Sequence, residues 1–251
     1  MGLFYFVLIL WADMSLSFFY IEQFDPSQKE IVLDEDTSYH IVQVLRMKPG
    51  ERLQLTDGRG QLATGSIAEC HKKHCTIGIE SAVYTEPSTR KVSIAISLIK
   101  NSSRFEWFLE KATEIGVNSI IPLICERTIR EKFRVDRLKG ICISAMLQSQ
   151  QTWLPVLHEP IAYDLLFRQE EVAGIAQKFI GHCVEGEKHH LSNLLDRDKS
   201  SQIILIGPEG DFSRAEIELA MRSNFIPVSL GETRLRTETA GVVAATLLKL
   251  I

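Results

Sequence analysis

The pattern of apolar and polar positions changes along the chain near residue 92. Before that point, short apolar stretches alternate with polar positions and are separated by segments rich in Gly, Pro, Asp and His, which is typical of strands joined by tight turns. After it, continuous apolar runs alternate with longer amphipathic segments, the pattern of buried parallel strands connected by helices. The sequence therefore predicts a small β domain followed by a larger α/β domain.

The first part predicts a small β-barrel at residues 14–84, followed by a linker at residues 85–91. Turn-forming segments separate its predicted strands. The strands are predicted at residues 30–33, 52–56, 62–70 and 75–81, with one helical stretch at 34–47.

The second part, residues 92–251, predicts a mainly parallel sheet with helices on both faces. Ser103 with Glu106, and Ser213 with Glu216, have the spacing of capping boxes that begin helices, and Gly116 is typical of a helix end. The strands are predicted at residues 92–99, 119–124, 154–158, 177–184, 202–206 and 226–230. The helices are predicted at residues 103–116, 134–149, 163–170, 213–223 and 237–250.

The N-terminal residues are predicted not to belong to the fold. Residues 2–12 are apolar, but they fall short of the ~20 residues that a membrane span needs, and no basic residue precedes them as in a signal peptide. Met14 opens a more ordinary segment, so residues 1–13 are interpreted as an upstream extension. The sequence predicts a cytoplasmic protein without a membrane partner.

Composition first argues against a nucleic-acid partner. The 251 residues carry a formal net charge of −4, which disfavours binding to a polyanion. The five cysteines are too few for a disulfide scaffold. The charge is unevenly distributed, however, because residues 86–140 hold 11 basic and 7 acidic residues, a net charge of +4. The total therefore says little about where a polyanion binds.

One loop of unusual composition follows the predicted strand 202–206. Ligands bind beyond the carboxyl ends of strands in open α/β sheets, and Gly207 and Gly210 would let the backbone approach a ligand closely. The loop is neither a Walker loop nor a dinucleotide fingerprint, and it carries Glu209 and Asp211, which a phosphate site disfavours. A tight strand-to-helix turn explains the same composition equally well.

A second unusual loop, residues 230–240, precedes the last helix. That helix is apolar nearly all round, so its polar start at Arg236, Thr237, Glu238 and Thr239 needs partners where water is scarce. One explanation is an N-cap at Thr237 or Thr239 with an ion pair. The other is a ligand pocket in which Arg236 and Glu238 orient a substrate.

Together these loops identify a family resemblance. LIGPEGDFSRAEIE and SLGETRLRTETA, with RFEWFLEKATEIGV at residues 104–117 and DGRG at residues 57–60, resemble the ribosomal RNA small-subunit methyltransferase E family. The matching segments cover most of the chain from about residue 18 onward, in the family's order. Two positions depart from the family pattern, since Asp211 stands where many relatives carry Gly and Gln151 where many carry Arg.

The resemblance implies a SPOUT-type domain with a trefoil knot, preceded by a PUA-like β-barrel. It implies S-adenosylmethionine as methyl donor, a homodimer with the pocket near the subunit interface, and 16S rRNA of the small ribosomal subunit as substrate. The methylated atom would be N3 of uridine 1498. By position, the implied cofactor-binding residues are Leu205, Gly207, Glu209, Gly210, Leu230, Gly231, Leu235, Arg236 and Ala240.

Methylation of a uridine N3 requires loss of its proton. Arg236 is the candidate cation for the negative charge that develops on the ring, and Glu209 is the candidate for the base or for cofactor orientation.

Candidate RNA-binding side chains are basic residues of the barrel and of the central segment, although a charge run often marks only a solvated face. These residues are Arg46, Arg59, Arg127, Arg130 and Arg134.

Other classes of function stay open or are disfavoured. A catalytically inactive RNA-binding adaptor of the same fold is the main alternative. A Rossmann-type enzyme is disfavoured, because no glycine fingerprint follows the first α/β strand. The Cys70–Cys75 segment, CHKKHC, suggests zinc, but it crosses a predicted hairpin turn without a second ligand pair, so no metal is expected.

Overall fold

The computed structural model describes residues 16–25, 27–129 and 133–250. They form two compact units. The first holds the chain up to Pro87 together with the short segment Gln150–Trp153, and the second holds Ser88–Ser149 and the chain from Leu154 onward. The predicted extension at residues 1–13 lies outside the described residues.

The first unit is built on a five-stranded mixed sheet around one core. The strands lie in the order β1-β3-β4-β5-β2, and only the β1–β3 pair is parallel. Apolar side chains from all five strands meet in the core, which confirms the predicted small β domain and adds a first strand that the pattern did not reveal. The strands are Ser17–Tyr20 (β1), Glu30–Val32 (β2), Arg52–Thr56 (β3), Gln61–Glu69 (β4) and Thr76–Tyr84 (β5).

Two further segments complete this unit. The predicted helical stretch is a short helix, Glu35–Tyr39 (α1), that continues into one π-helical turn at His40–Val44. The segment 150–153 joins the unit through two hydrogen bonds, from the Gly60 amide to the Thr152 carbonyl (2.9 Å) and from Trp153 Nε1 to the Thr85 carbonyl (3.0 Å).

The second unit contains an eight-stranded sheet in which every strand pair is parallel, as predicted. The order is β11-β13-β10-β12-β6-β7-β8, with the short β9 also pairing with β7. Its strands are Lys91–Ser97 (β6), Ser119–Ile124 (β7), Val156–Leu157 (β8), Ile161–Ala162 (β9), Gln177–Gly181 (β10), His189–His190 (β11), Ser201–Ile206 (β12) and Ile226–Ser229 (β13).

Helices cover both faces of this sheet, because its central strands are apolar on both sides. In β12, Ile204 and Ile206 pack into one core with α2, α3 and α8, whereas Ile203 and Leu205 pack into a second core with α4, α5 and α7. The helices are Ser102–Ile115 (α2), Val135–Gln148 (α3), Tyr163–Leu166 (α4), Glu170–Ala173 (α5), Leu191–Leu194 (α6), Arg214–Arg222 (α7) and Thr237–Leu250 (α8). Within the described ranges, no helix is long and apolar enough to cross a membrane.

The predicted capping box at the start of α2 is wrong. Asn101, rather than Ser103, caps this helix, since its side-chain oxygen accepts a hydrogen bond from the Ser103 amide (3.0 Å). Glu106 does not reach back to the cap, because its carboxylate accepts two hydrogen bonds from Arg137 of α3 at 2.8 and 2.9 Å. The second predicted box, Ser213 with Glu216, is present at α7.

The single helix predicted at residues 163–170 is also wrong, because the chain forms the two short helices α4 and α5. Tyr163 and Val172 both pack into the second core. At 100° per residue, a continuous helix would place two residues nine positions apart on opposite faces. The break between the helices allows both side chains to be buried.

Close packing of α2 against α8 depends on Gly241. A Cβ at this position would lie 2.6 Å from Cε2 of Phe108 and 2.9 Å from Cδ1 of Ile96, and both of these side chains are fully buried. The absence of a side chain at Gly241 therefore sets the distance between the two helices.

We expect Gly241→Ala to lower the free energy of unfolding by about 1–3 kcal/mol, since overpacking outweighs the better helix propensity of Ala. Gly140→Ala in α3 is the matched control, because no atom of the described residues lies within 4 Å of the added Cβ. The control should raise stability by roughly 0.5–1 kcal/mol. Urea unfolding measures both, and equal stabilisation by the two substitutions would contradict the described packing.

Candidate functional site

A cavity of about 760 Å³ lies at the carboxyl ends of β10, β12 and β13, three neighbouring parallel strands. The strand ends Gly181, Ile206 and Ser229 line it, together with the loops that follow them and the start of α8. This is the edge at which open α/β sheets bind ligands. Its volume lies within the range of small-molecule sites.

Most of the predicted cofactor-binding residues come together in this cavity. Those that line it are Gly207, Glu209, Leu230, Gly231, Leu235, Arg236 and Ala240. Two predicted residues do not line it: Leu205 is fully buried in the second core, and the Gly210 carbonyl accepts a hydrogen bond from Arg127 (2.7 Å).

Sequence reasoning missed the part of the lining that comes from α2 and from the loop after β10. These residues are Arg104, His182, Cys183 and Lys188. In the sequence, Arg104 stands out only as part of the segment at residues 104–117 that resembles the family. The loop after β10 follows a predicted parallel strand, so the sequence does place it at the ligand-binding edge, but its position between the loops after β12 and β13 follows from the sheet order, which only the structure shows.

Hydrogen bonds to Asp211 hold the loop between β12 and α7 in place. Asp211 has a φ of 64°, the left-handed region that favours glycine, which explains why Gly suits this position. Its carboxylate accepts hydrogen bonds from the Cys183 amide (2.9 Å) and from its neighbour Phe212 (2.9 Å). Asp211 therefore ties the loop after β12 to the loop after β10.

The loop after β12 and the loop before α8, both of unusual composition, are also joined directly. Oγ1 of Thr237, the first residue of α8, donates a hydrogen bond to the Gly207 carbonyl (3.0 Å). Nη2 of Arg234 contacts the Glu209 carbonyl at 3.4 Å. The turn explanation and the pocket explanation are thus compatible, because the tight turns form the wall of the cavity.

Arg104 contacts two glutamates at the cavity. Nη1 of Arg104 donates to Oε1 of Glu209 (3.2 Å), and Nε of Arg104 lies 3.7 Å from Oε1 of the buried Glu238. Among the described residues, the exposed guanidinium of Arg236 has no hydrogen-bond or ion-pair partner. Of the three guanidinium groups that line the cavity, those of Arg104 and Arg234 are therefore engaged and that of Arg236 is free within the described ranges.

His182 contributes a polar group from the loop after β10. Burial lowers the pKa of its imidazole below the ordinary value, the Lys188 ammonium lowers it further, and Asp211 opposes this shift. Nζ of Lys188 donates to the His182 carbonyl (2.8 Å). The imidazole is therefore neutral near physiological pH, and its buried Nδ1 has no partner among the described residues.

The candidate RNA-binding arginines are distributed over both units. Arg46 and Arg59 are exposed on the first unit. Arg127 is exposed on the second unit, where it holds the Gly210 carbonyl, and Arg130 lies outside the described residues. Arg134 precedes α3 and lines a smaller cavity of about 310 Å³ with Phe105, Phe133, Glu106 and Arg137.

The Cys70–Cys75 segment is the turn between β4 and β5, as predicted, and the rings of His71 and His74 stack with centroids 3.6 Å apart. In the part of the chain that the structure describes, no group of three or more His, Cys, Asp or Glu side chains is arranged to hold a metal ion.

Comparisons with known families match both units. Residues 86–249, more than half of the chain, match the model of the RNA methyltransferase domain. Residues 33–80 match the model of the RNA methyltransferase PUA domain.

Individual relatives agree with these matches. A ribosomal RNA small subunit methyltransferase E of a Synechocystis species is 32% identical over 213 residues, which cover 82% of this chain and 68% of the relative. A probable rRNA methyltransferase of Porphyromonas gingivalis has a similar structure, with a TM-score of 0.83, 36% identity and coverage of 92% and 96% of the two chains. A ribosomal RNA small subunit methyltransferase E of Neisseria gonorrhoeae, solved bound to S-adenosyl methionine, has a TM-score of 0.82 at 27% identity, with coverage of 92% and 95%.

We expect iodoacetamide to modify Cys183 first in the native protein. Cys183 is exposed at the cavity, whereas burial raises the pKa of Cys125 to about 12 and also raises the pKa values of Cys75 and Cys142, so those thiols hold little reactive thiolate. Mass mapping of peptides measures the order of reaction, and Cys183→Ser should remove the fast phase. Equally fast labelling of Cys125 would contradict the described burial.

Proposed function

This chain belongs to the ribosomal RNA small subunit methyltransferase E family, and we propose that it methylates 16S rRNA with S-adenosylmethionine as donor. The proposed product is a uridine methylated at N3, at nucleotide 1498. The observation that carries the proposal is the cavity at the ends of β10, β12 and β13. There the family's two characteristic loops meet and present backbone and charged groups to one space.

The cavity fits S-adenosylmethionine in size and chemistry. Leu230, Leu235 and Ala240 offer apolar surface for a purine. A Cβ placed on Gly231 meets no atom within 4 Å in the described part of the chain, so the backbone there is open to a ligand. Arginine and glutamate side chains offer partners for the carboxylate and ammonium of the amino-acid part. When bound, the donor supplies an electrophilic methyl group on a sulfonium.

The residues of this chain would then position the uracil and accept its proton. Arg236 is our candidate for the cation that stabilises negative charge on the ring oxygens once N3 loses its proton, since it lines the cavity and its guanidinium has no partner among the residues that the structure describes. Glu209 is the candidate base or cofactor-orienting group. Its exposed carboxylate already pairs with Arg104, which favours the orienting role.

Binding of rRNA would use the basic side chains of both units, with Arg46 and Arg59 on the first and Arg127 and Arg134 on the second. Phosphate contacts of this kind make binding steeply dependent on salt. A base splayed out of its helix would enter the cavity. The homodimer and the trefoil knot implied by the family resemblance, and a barrel at residues 14–84 joined by a linker at 85–91 to a methyltransferase domain at 92–251, are further parts of this proposal.

A catalytically inactive RNA-binding adaptor is the alternative, and a binding experiment separates the two. Titration calorimetry with S-adenosylmethionine should show binding, and the same ligand should slow iodoacetamide labelling of Cys183 at the cavity wall. An unchanged labelling rate together with no heat of binding would favour the adaptor.

We expect Arg236→Ala to lower the turnover number for rRNA methylation by roughly a hundredfold, the usual effect of removing one preorganised donor at a developing anion. Its Kd for S-adenosylmethionine should change far less. Arg214→Ala, which removes an exposed arginine outside the cavity, is the matched control and should leave both values unchanged. Wild-type turnover by Arg236→Ala would refute the assignment.

A further inference from the structure

Glu238 is a buried carboxylate whose hydrogen-bonding capacity is largely unused. Its side chain is 8% exposed, and the buried Oε2 has no hydrogen-bond partner within the described ranges. Oε1 has an ion-pair contact at 3.7 Å with Nε of Arg104, longer than a hydrogen bond. Burial of a carboxylate with so few partners is costly, so the residue requires a functional or structural explanation.

The guanidinium of Arg104 lies between two carboxylates of different character. It lines the cavity and is 35% exposed, with the buried Glu238 on one side and Glu209, whose side chain is 50% exposed, on the other. The Glu209 pair is open to solvent and is therefore weak and exchangeable. The Glu238 pair lies within the protein, where solvent screens it far less.

Helix packing fixes the relative positions of Arg104 and Glu238. Arg104 lies one turn before Phe108 on α2, and Glu238 lies one turn before Gly241 on α8, and Phe108 packs directly on Gly241. Thr237 anchors the start of α8 to the Gly207 carbonyl. Since both backbones are held, the carboxylate of Glu238 is a fixed reference point for the Arg104 side chain.

We propose that Glu238 is a positioning residue that holds Arg104 in the cavity, and that Arg104 is a second cation for the negative charge on the deprotonated uracil. This inference rests on the proposed function. When the substrate displaces Glu209, Arg104 keeps its ion pair with Glu238. The unused Oε2 can then accept an additional N–H from the guanidinium.

The ion pair with Glu238 orients the guanidinium of Arg104 before the substrate binds. A guanidinium held only by an exposed glutamate would have to break its one ion pair to serve the substrate. Because Nε of Arg104 stays paired with Glu238, the side chain stays oriented when Nη1 loses Glu209 and becomes free for the substrate. This is the preorganisation that electrostatic catalysis needs. The role requires an acidic group at residue 238 and a forked cation at residue 104.

The test is a double-substitution cycle in which methyl transfer to small ribosomal subunits is measured. Glu238→Gln should lower the turnover number about tenfold, with little change in the Kd for S-adenosylmethionine or the KM for the subunit. Arg104→Ala should lower turnover at least as much. Adding Glu238→Gln to Arg104→Ala should cause almost no further loss, because Glu238 acts through Arg104.

Other outcomes would overturn the inference. Independent losses that multiply in the double variant would show that Glu238 does not act through Arg104, and weaker S-adenosylmethionine binding with unchanged turnover would assign the pair to the donor. Glu238→Asp should retain more activity than Glu238→Gln if the negative charge is what matters, and the reverse order would contradict the proposal.

Controls separate a folding defect and a failure of the proposed function from a failure of this inference. Glu110→Gln removes a carboxylate of α2 that pairs with Lys111 outside the cavity, and it should leave turnover unchanged. Thermal unfolding of every variant identifies folding defects. A wild-type protein that binds no S-adenosylmethionine and methylates no rRNA would refute the proposed function, whereas an active wild type with a fully active Glu238→Gln variant would refute only this inference.

Discussion

Parallel pairing of β13, β10 and β12 is the constraint on which the site depends. The register places Gly181 of β10 opposite Ile206 of β12 and Val228 of β13, so the three strands end at one edge within about a residue of each other. Their loops must therefore converge there. Because β12 is buried on both faces by helices, this edge is held rigidly, and the loops form a cavity with fixed walls.

Side-chain hydrogen bonds then join the converging loops to one another. The carboxylate of Asp211 accepts a hydrogen bond from the Cys183 amide, and the hydroxyl of Thr237 donates one to the Gly207 carbonyl. Each of these bonds joins two of the loops. Glu216 extends the same network, because its buried carboxylate accepts hydrogen bonds from the Ser213 and Glu126 amides, both at 2.8 Å. These bonds satisfy polar backbone groups that the turns would otherwise leave unpaired and so stabilise the cavity wall.

The same edge also brings together groups that are distant in sequence. Arg104 reaches the cavity from α2, and the buried Glu238 of α8, more than a hundred residues later in the chain, contacts it there. The contact between Phe108 and Gly241 brings these helices close enough for the two side chains to form an ion pair. A function that uses charge in this cavity therefore depends on helix packing as much as on the loops.

Sequence reasoning succeeded where local signals were strong. The strands Arg52–Thr56 and Ser119–Ile124 and the helix Thr237–Leu250 have the predicted bounds, because apolar periodicity and flanking turn residues agree there. It failed where neighbouring signals compete, as with Asn101 and Ser103, two residues that both suit a cap. It could not place Arg104 beside Glu238, because that pairing is set by tertiary packing.

Family membership and the converging loops support one chemical outcome, methylation of rRNA. The most direct measurement is mass spectrometry of nucleosides from small ribosomal subunits that lack the modification, incubated with the purified protein and S-adenosylmethionine. The account predicts that N3-methyluridine appears and maps to one position of 16S rRNA. Absence of any methylated nucleoside, or methylation of a different base or atom, would contradict it.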